Sequence, residues 1–170
     1  HSFEMTLHRL RKLIGHENAI QYREGRITLD PGYFWVDVWA FERILGVIDD
    51  KKREELTDSA ALITQKAIEM YWGPFLAGEV EQSWMVSIRE RLRRKFLRNV
   101  SYLANYWEQS QSYDRALECY ERGLEIDELA EELYRHRIMC YQRLGRQAEA
   151  LSVYRRCKRT LSASFGIEPS

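Results

Sequence analysis

The chain has 170 residues, with 26 Lys or Arg against 26 Asp or Glu and 45% hydrophobic residues. This length fits one domain, or a compact domain with a small appendage, and suffices to bury a real core. Balanced charge and ordinary apolar content support neither overall disorder nor a global nucleic-acid-binding charge, so attraction to polyanions has to come from a local patch.

Residues 3–14 place Phe3, Leu7, Leu10 and Ile14 on one helical face, with Leu13 beside it and His8, Arg9, Arg11 and Lys12 largely on the others. This pattern predicts an amphipathic helix that Gly15 stops. Ile20 to Leu29 alternates apolar and polar residues about Glu24-Gly25, which predicts a short β-hairpin with a glycine turn. A lone two-stranded hairpin is marginal in water, so it should lean on a neighbouring helix or on sequence outside these residues. Asp30-Pro31-Gly32 then signals a turn into the aromatic run Tyr33-Phe34-Trp35.

Asp37 is placed to N-cap a helix carrying Val38, Phe41, Ile44, Leu45 and Ile48. Asp49-Asp50-Lys51-Lys52 reads as a polar joint before an amphipathic helix from Glu54 to Tyr71, which Trp72-Gly73-Pro74-Phe75-Leu76 breaks. A long helix is predicted over Ser83 to Trp107. Its middle crowds Arg89, Arg91, Arg93, Arg94, Lys95 and Arg98 against Glu90 alone. That run reads either as a solvated face whose stems cover apolar neighbours, or as a patch for phosphate or an acidic partner. Gly145 should separate the last two helices, and Phe165-Gly166-Ile167-Glu168-Pro169 should end the second of them.

Ala116-Leu117-Glu118-Cys119-Tyr120 recurs as Ala150-Leu151-Ser152-Val153-Tyr154 at a spacing of 34 residues, the period of a tetratricopeptide helix hairpin. Val100, Leu103, Ala104 and Trp107 precede the first copy where such a repeat places its first helix, and Tyr134, Arg137, Ile138 and Tyr141 fill the same slots before the second. Ala67-Ile68-Glu69-Met70-Tyr71 repeats the pattern again at an irregular distance, so three helix hairpins are expected. The expected fold is all-α: tetratricopeptide-like hairpins forming a right-handed solenoid, preceded by a helix and a short β-hairpin. Ala67, Ala116 and Ala150 should sit at close helix crossings, and Tyr71, Tyr120 and Tyr154 at joints between hairpins. The repeats are divergent: Arg137 stands where a large aliphatic is usual, Gly123 replaces a small Ala, and neither copy has the closing Pro.

Cys119, Cys140 and Cys157 are odd in number and widely spaced, so they read as reduced core thiols. The four His are scattered at 1, 8, 16 and 136, and there is neither a phosphate-cradling glycine loop nor a nucleophile motif. Glu131 and Glu132 near His136 point about 100° apart on a helix and should face water. The expectation is therefore a protein that is not an enzyme, with no catalytic residue, metal or cofactor, and with no ligand-binding residue marked. Tyr and Trp at helical spacing read as core. No apolar stretch approaches the roughly 20 residues that cross a bilayer, and the start lacks a secretion signal, so the expectation is cytoplasmic, with no membrane partner.

Several segments taken in order resemble the bacterial transcriptional activator domain family. They are Thr6-Leu7-His8-Arg9-Leu10-Arg11-Lys12-Leu13-Ile14-Gly15, Val36-Asp37-Val38-Trp39-Ala40-Phe41-Glu42, Gly73-Pro74-Phe75-Leu76, Gly145 through Arg156, and Leu161 through Pro169. The resemblance implies that residues 1–36 are the remnant of a response-regulator-type winged helix, holding the end of its recognition helix and its wing. Residues 37–170 would then be the tetratricopeptide-like activator domain. It further implies that Arg9, Arg11, Lys12, Arg23 and Arg26 contact promoter DNA in the full-length protein, and that the repeats bind a protein partner or another copy. Lys and Arg neutralise phosphates and displace counterions, and an Arg in a groove can read guanine with two hydrogen bonds. The alternative is a stand-alone tetratricopeptide adaptor unrelated to transcription, against which the basic helix and wing speak.

Overall fold

The computed structural model describes residues 2–51 and 57–165. Among the described residues are seven α-helices and one two-stranded antiparallel sheet. In order they are α1 (Ser2–Ile14), β1 (Ile20–Arg23), β2 (Arg26–Leu29), α2 (Asp37–Lys51), α3 (Asp58–Met70), α4 (Ser83–Gln109), α5 (Tyr113–Ile126), α6 (Glu131–Arg143) and α7 (Gln147–Phe165). Contacts divide the chain into two compact units, His1–Arg43 and Ile44–Ser170. No helix among the described residues is long and apolar enough to cross a membrane.

In the first unit, Gly15 ends α1 in the left-handed conformation, φ 81°, and its N–H donates to the Arg11 carbonyl at 3.0 Å. The strands pair from Ile20↔Leu29 to Arg23↔Arg26, and Glu24 and Gly25 both take positive φ. That is the two-residue turn whose twist matches the ribbon. The hairpin leans on α1 as expected, with the Phe3 and Tyr22 rings 5.0 Å apart. The apolar face of α1 is nevertheless mostly wet: Leu7 is buried while Phe3, Leu10 and Leu13 are exposed, because a two-stranded ribbon is too narrow to cover them.

The structure shifts two boundaries. The Val36 carbonyl accepts from Ala40 N at 3.0 Å, so Asp37 is the first helical residue and not the cap, and its carboxylate accepts from Val38 N at 2.7 Å. Helix α2 runs through Asp49, Asp50 and Lys51 where a polar joint is expected, since neither Pro nor a turn residue interrupts it. Helix α3 starts at Asp58 behind a Thr57 cap, whose hydroxyl accepts from Ala60 N. Lys52 and Glu54, with the rest of residues 52–56, lie outside the described residues, as do 166–170 of the expected C-terminal ending.

In the second unit, α4 packs antiparallel to α5, α5 to α6 and α6 to α7, and α3 also packs on α4. Val100, Leu103, Ala104 and Trp107 of α4 are buried, as are Ala67, Ala116 and Ala150. Tyr71 stacks on Phe96 with ring centroids 4.6 Å apart, while Arg122 of α5 bonds the Tyr71 carbonyl. Tyr120 is 1% exposed, but Tyr154 is 43% exposed, so the expected joint at Tyr154 is not there. Tyr120 lies under α6, whereas no described helix follows α7 to cover Tyr154.

Gly123 explains its departure from the repeat pattern. A Cβ there would stand 2.6 Å from Leu133 Cδ1 on α6 and 3.1 Å from Val100 Cγ1 on α4. Both neighbours are themselves buried, so neither has room to yield. Gly123→Ala should gain about 1 kcal/mol of helix propensity and lose about 1–3 kcal/mol to overpacking, a net destabilisation. Urea unfolding should show a lower midpoint; a raised midpoint would refute the close crossing.

Candidate functional site

Five cations sit between residues 9 and 26 of the first unit, and the fold uses them differently. Arg9 and Lys12, one turn apart on α1, are exposed. Arg11 is half-buried and donates from Nε and Nη2 to the Ile20 carbonyl, at 2.8 and 2.6 Å. It thereby bolts the helix to β1. Arg23 and Arg26 are direct cross-strand partners flanking the turn, both exposed, so their side chains share one face of the ribbon with Gln21 and Thr28. The other face carries Ile20, Tyr22, Ile27 and Leu29. Like charges directly opposite each other destabilise a ribbon, and an anion bridging them would relieve the repulsion.

The basic run of α4 is not a bare patch. Arg89 donates to the carbonyls of Phe75 and Leu76 at 2.8 and 2.9 Å and pairs with Glu81 at 2.8 Å, stapling the loop before α4 onto its first turns. Arg93 pairs with Asp127 at 2.6 Å and Glu90 at 3.4 Å, and Arg94 bonds the Glu90 carbonyl. Arg91, Lys95 and Arg98 also have partners. These contacts engage the cations of the run within the chain.

Two polar clusters fasten the helices of the second unit. Glu108 Oε1 accepts from the Tyr120 hydroxyl at 2.5 Å and lies 3.2 Å from His136 Nδ1, while the Tyr120 and His136 rings stack at 5.5 Å. This ties α4, α5 and α6 together. His136 thus meets Glu108, 28 residues away, and not its neighbours Glu131 and Glu132. Burial, reinforced by Glu108, pushes the Tyr120 phenol above its ordinary range. In the second cluster Glu121 of α5 pairs with Arg137 of α6 and, at 2.9 Å, with Arg156 of α7. Arg137 therefore occupies an aliphatic slot with its charge neutralised and only 14% of its side chain exposed. No local sequence signal marks either cluster, because each partner comes from a different helix.

The first cluster includes a nucleophilic atom, Cys140 Sγ, but its setting opposes catalysis. Burial and then the Glu108 carboxylate push the Cys140 thiol up to about 12. Thiol chemistry needs the thiolate, which a cation stabilises and a carboxylate disfavours. Burial likewise raises Cys119 to about 12, and it raises Cys157. Among the described residues, no three His, Cys, Asp or Glu side chains gather into a group that could hold a metal ion.

A family model described as bacterial transcriptional activator domain matches residues 36–170. No curated protein matches the chain.

The raised thiols give a direct test. A thiol titrating near 12 is about one part in ten thousand thiolate at pH about 8, so Cys119 and Cys140 should react with a chromogenic disulfide far more slowly in the native protein than in denaturant. Native labelling as fast as that of the unfolded chain would contradict their placement.

Proposed function

The chain belongs to the bacterial transcriptional activator domain family, and we propose that it is the effector, protein-interaction and oligomerisation module of a bacterial transcription regulator. In the full-length protein an upstream winged helix binds promoter DNA, and residues 1–36 are the end of its recognition helix and its wing. Residues 37–170 form the activator domain, whose hairpins α4/α5 and α6/α7 stack as tetratricopeptide-like repeats of a right-handed solenoid. Support for the repeats comes from the 34-residue spacing of Ala116 and Ala150, both buried. A regulator that reads promoter DNA works in the cytoplasm.

The observation that carries the DNA half of this reading is the Arg23↔Arg26 pair at the hairpin tip. Two exposed guanidiniums on one face of a narrow ribbon suit a phosphate backbone, and Arg9 and Lys12 add charge from the helix. Arg11 contributes by a different route: its bond to Ile20 sets the position of the wing relative to the helix, and its contact with DNA is the least accessible of the five. The repeats leave a helical surface for a protein partner or a second copy.

Replacing Arg23 and Arg26 by Gln in the full-length protein should lower promoter affinity and flatten the plot of log K against log salt by about 0.9 per lost phosphate contact. Fluorescence anisotropy across a salt series measures both. Unchanged affinity and slope would remove the hairpin from the DNA interface and favour the adaptor. The 170-residue chain alone should bind DNA weakly and without sequence preference, and tight specific binding in the same assay would show that the reader lies within it.

A further inference from the structure

The first unit carries a surface hollow of about 550 Å3 lined by Pro31, Tyr33, Trp35, Val36, Trp39 and Arg43 among others, all from that unit. Three of its rings stand open to water, Trp35 at 73%, Tyr33 at 47% and Trp39 at 40% exposed. Clustered exposed aromatic surface marks a contact site, because large rings left in water lose the burial that usually holds them. The turn that carries Tyr33, and the Tyr33 ring itself, have contacts within the chain. The Asp30 carbonyl accepts from Tyr33 N at 3.0 Å and Phe34 N at 3.2 Å, its carboxylate accepts from Gly32 N at 2.9 Å, and His16 packs against the Tyr33 ring at 4.9 Å.

The polar atoms of the lining side chains define the partner. The indoles of Trp35 and Trp39 and the guanidinium of Arg43 only donate hydrogen bonds, and the Tyr33 hydroxyl can donate as well. Such a lining is matched by a ligand rich in carbonyl oxygens and poor in N–H groups. Arg43, the sole charged side chain of the lining, complements a carboxylate. We infer that the hollow is a docking site for an extended, proline-bearing peptide segment with an acidic residue. Proline offers a carbonyl without an amide hydrogen and an apolar ring that lies flat on aromatic faces, and its polyproline II backbone has little conformational freedom left to lose. A small aromatic acid is the weaker fit, since tight small-molecule sites enclose most of their ligand and these rings are open.

The test titrates the 170-residue protein with a fluorescein-labelled oligoproline peptide ending in Asp-Asp, read by anisotropy, against a Gly-Ser peptide of equal length and ending. The proline peptide should bind, and both the Gly-Ser control and the Trp35→Ala variant should be weaker by about tenfold or more. Salt should weaken binding to the unaltered protein but not to Arg43→Gln. Trp84→Ala, in the other unit, should leave affinity unchanged. Trp35 and Arg43 are exposed, so neither replacement removes core, and circular dichroism verifies the fold. Equal binding of the control peptide, equal effects of Trp35→Ala and Trp84→Ala, or no binding at millimolar peptide would overturn the assignment. So would preferential binding of indole acetate, or a dimer in sedimentation that Trp35→Ala dissolves.

Discussion

Three helices of the second unit meet at a residue with no side chain. Because Gly123 lets Val100 of α4 and Leu133 of α6 close on α5 from two sides, polar side chains bridge the helices next to it. The two fasteners both start within the turn of α5 that precedes this glycine: Tyr120 reaches Glu108, which also meets His136, and Glu121 reaches Arg137 and Arg156. A Cβ at position 123 would push α6 away and lengthen the bonds that reach His136 and Arg137. The crossing supplies the proximity, and the polar pairs bridge the helices it brings together. Partly exposed ion pairs add little to stability on their own.

Periodic features of this chain are legible in its sequence because they depend on local geometry. The long helix α4, the Glu24-Gly25 hairpin, the Gly15 and Gly145 stops, and the burial of Ala67, Ala116 and Ala150 all follow from spacing and from backbone freedom at glycine. What the sequence does not show is decided between helices. Tyr154 repeats the place of Tyr120 in the pattern, yet its burial depends on a covering neighbour. His136 has carboxylates on its own helix, yet it bonds one from α4. The face of α1 has the period of a buried helix, but period reports which residues share a side, not whether anything packs on that side.

Arginine shows the same limit on the candidate surface. Arg11, Arg89, Arg93 and Arg122 look in sequence like Arg9, Arg23 and Arg26, each a cation beside apolar residues. Arg11, Arg89 and Arg122 instead reach backbone carbonyls, and Arg93 reaches Asp127. A planar fork with five donors suits this work, since one side chain can satisfy several carbonyls at a loop or strand edge. The pull on each guanidinium comes from acceptors that only the folded backbone brings within reach, so counting charges along the chain overstates the surface available to polyanions.

The Arg11 bond has a consequence for recognition. By holding β1 to the helix with two donors on one carbonyl, it joins the helix that carries Arg9 and Lys12 to the strand that leads to the hairpin tip. In the proposed DNA complex, two clusters joined in this way would meet a regularly spaced polyanion with part of the opposing loss of freedom already incurred during folding. In that complex the spacing between the two clusters would bear on the choice of target before any base edge is touched.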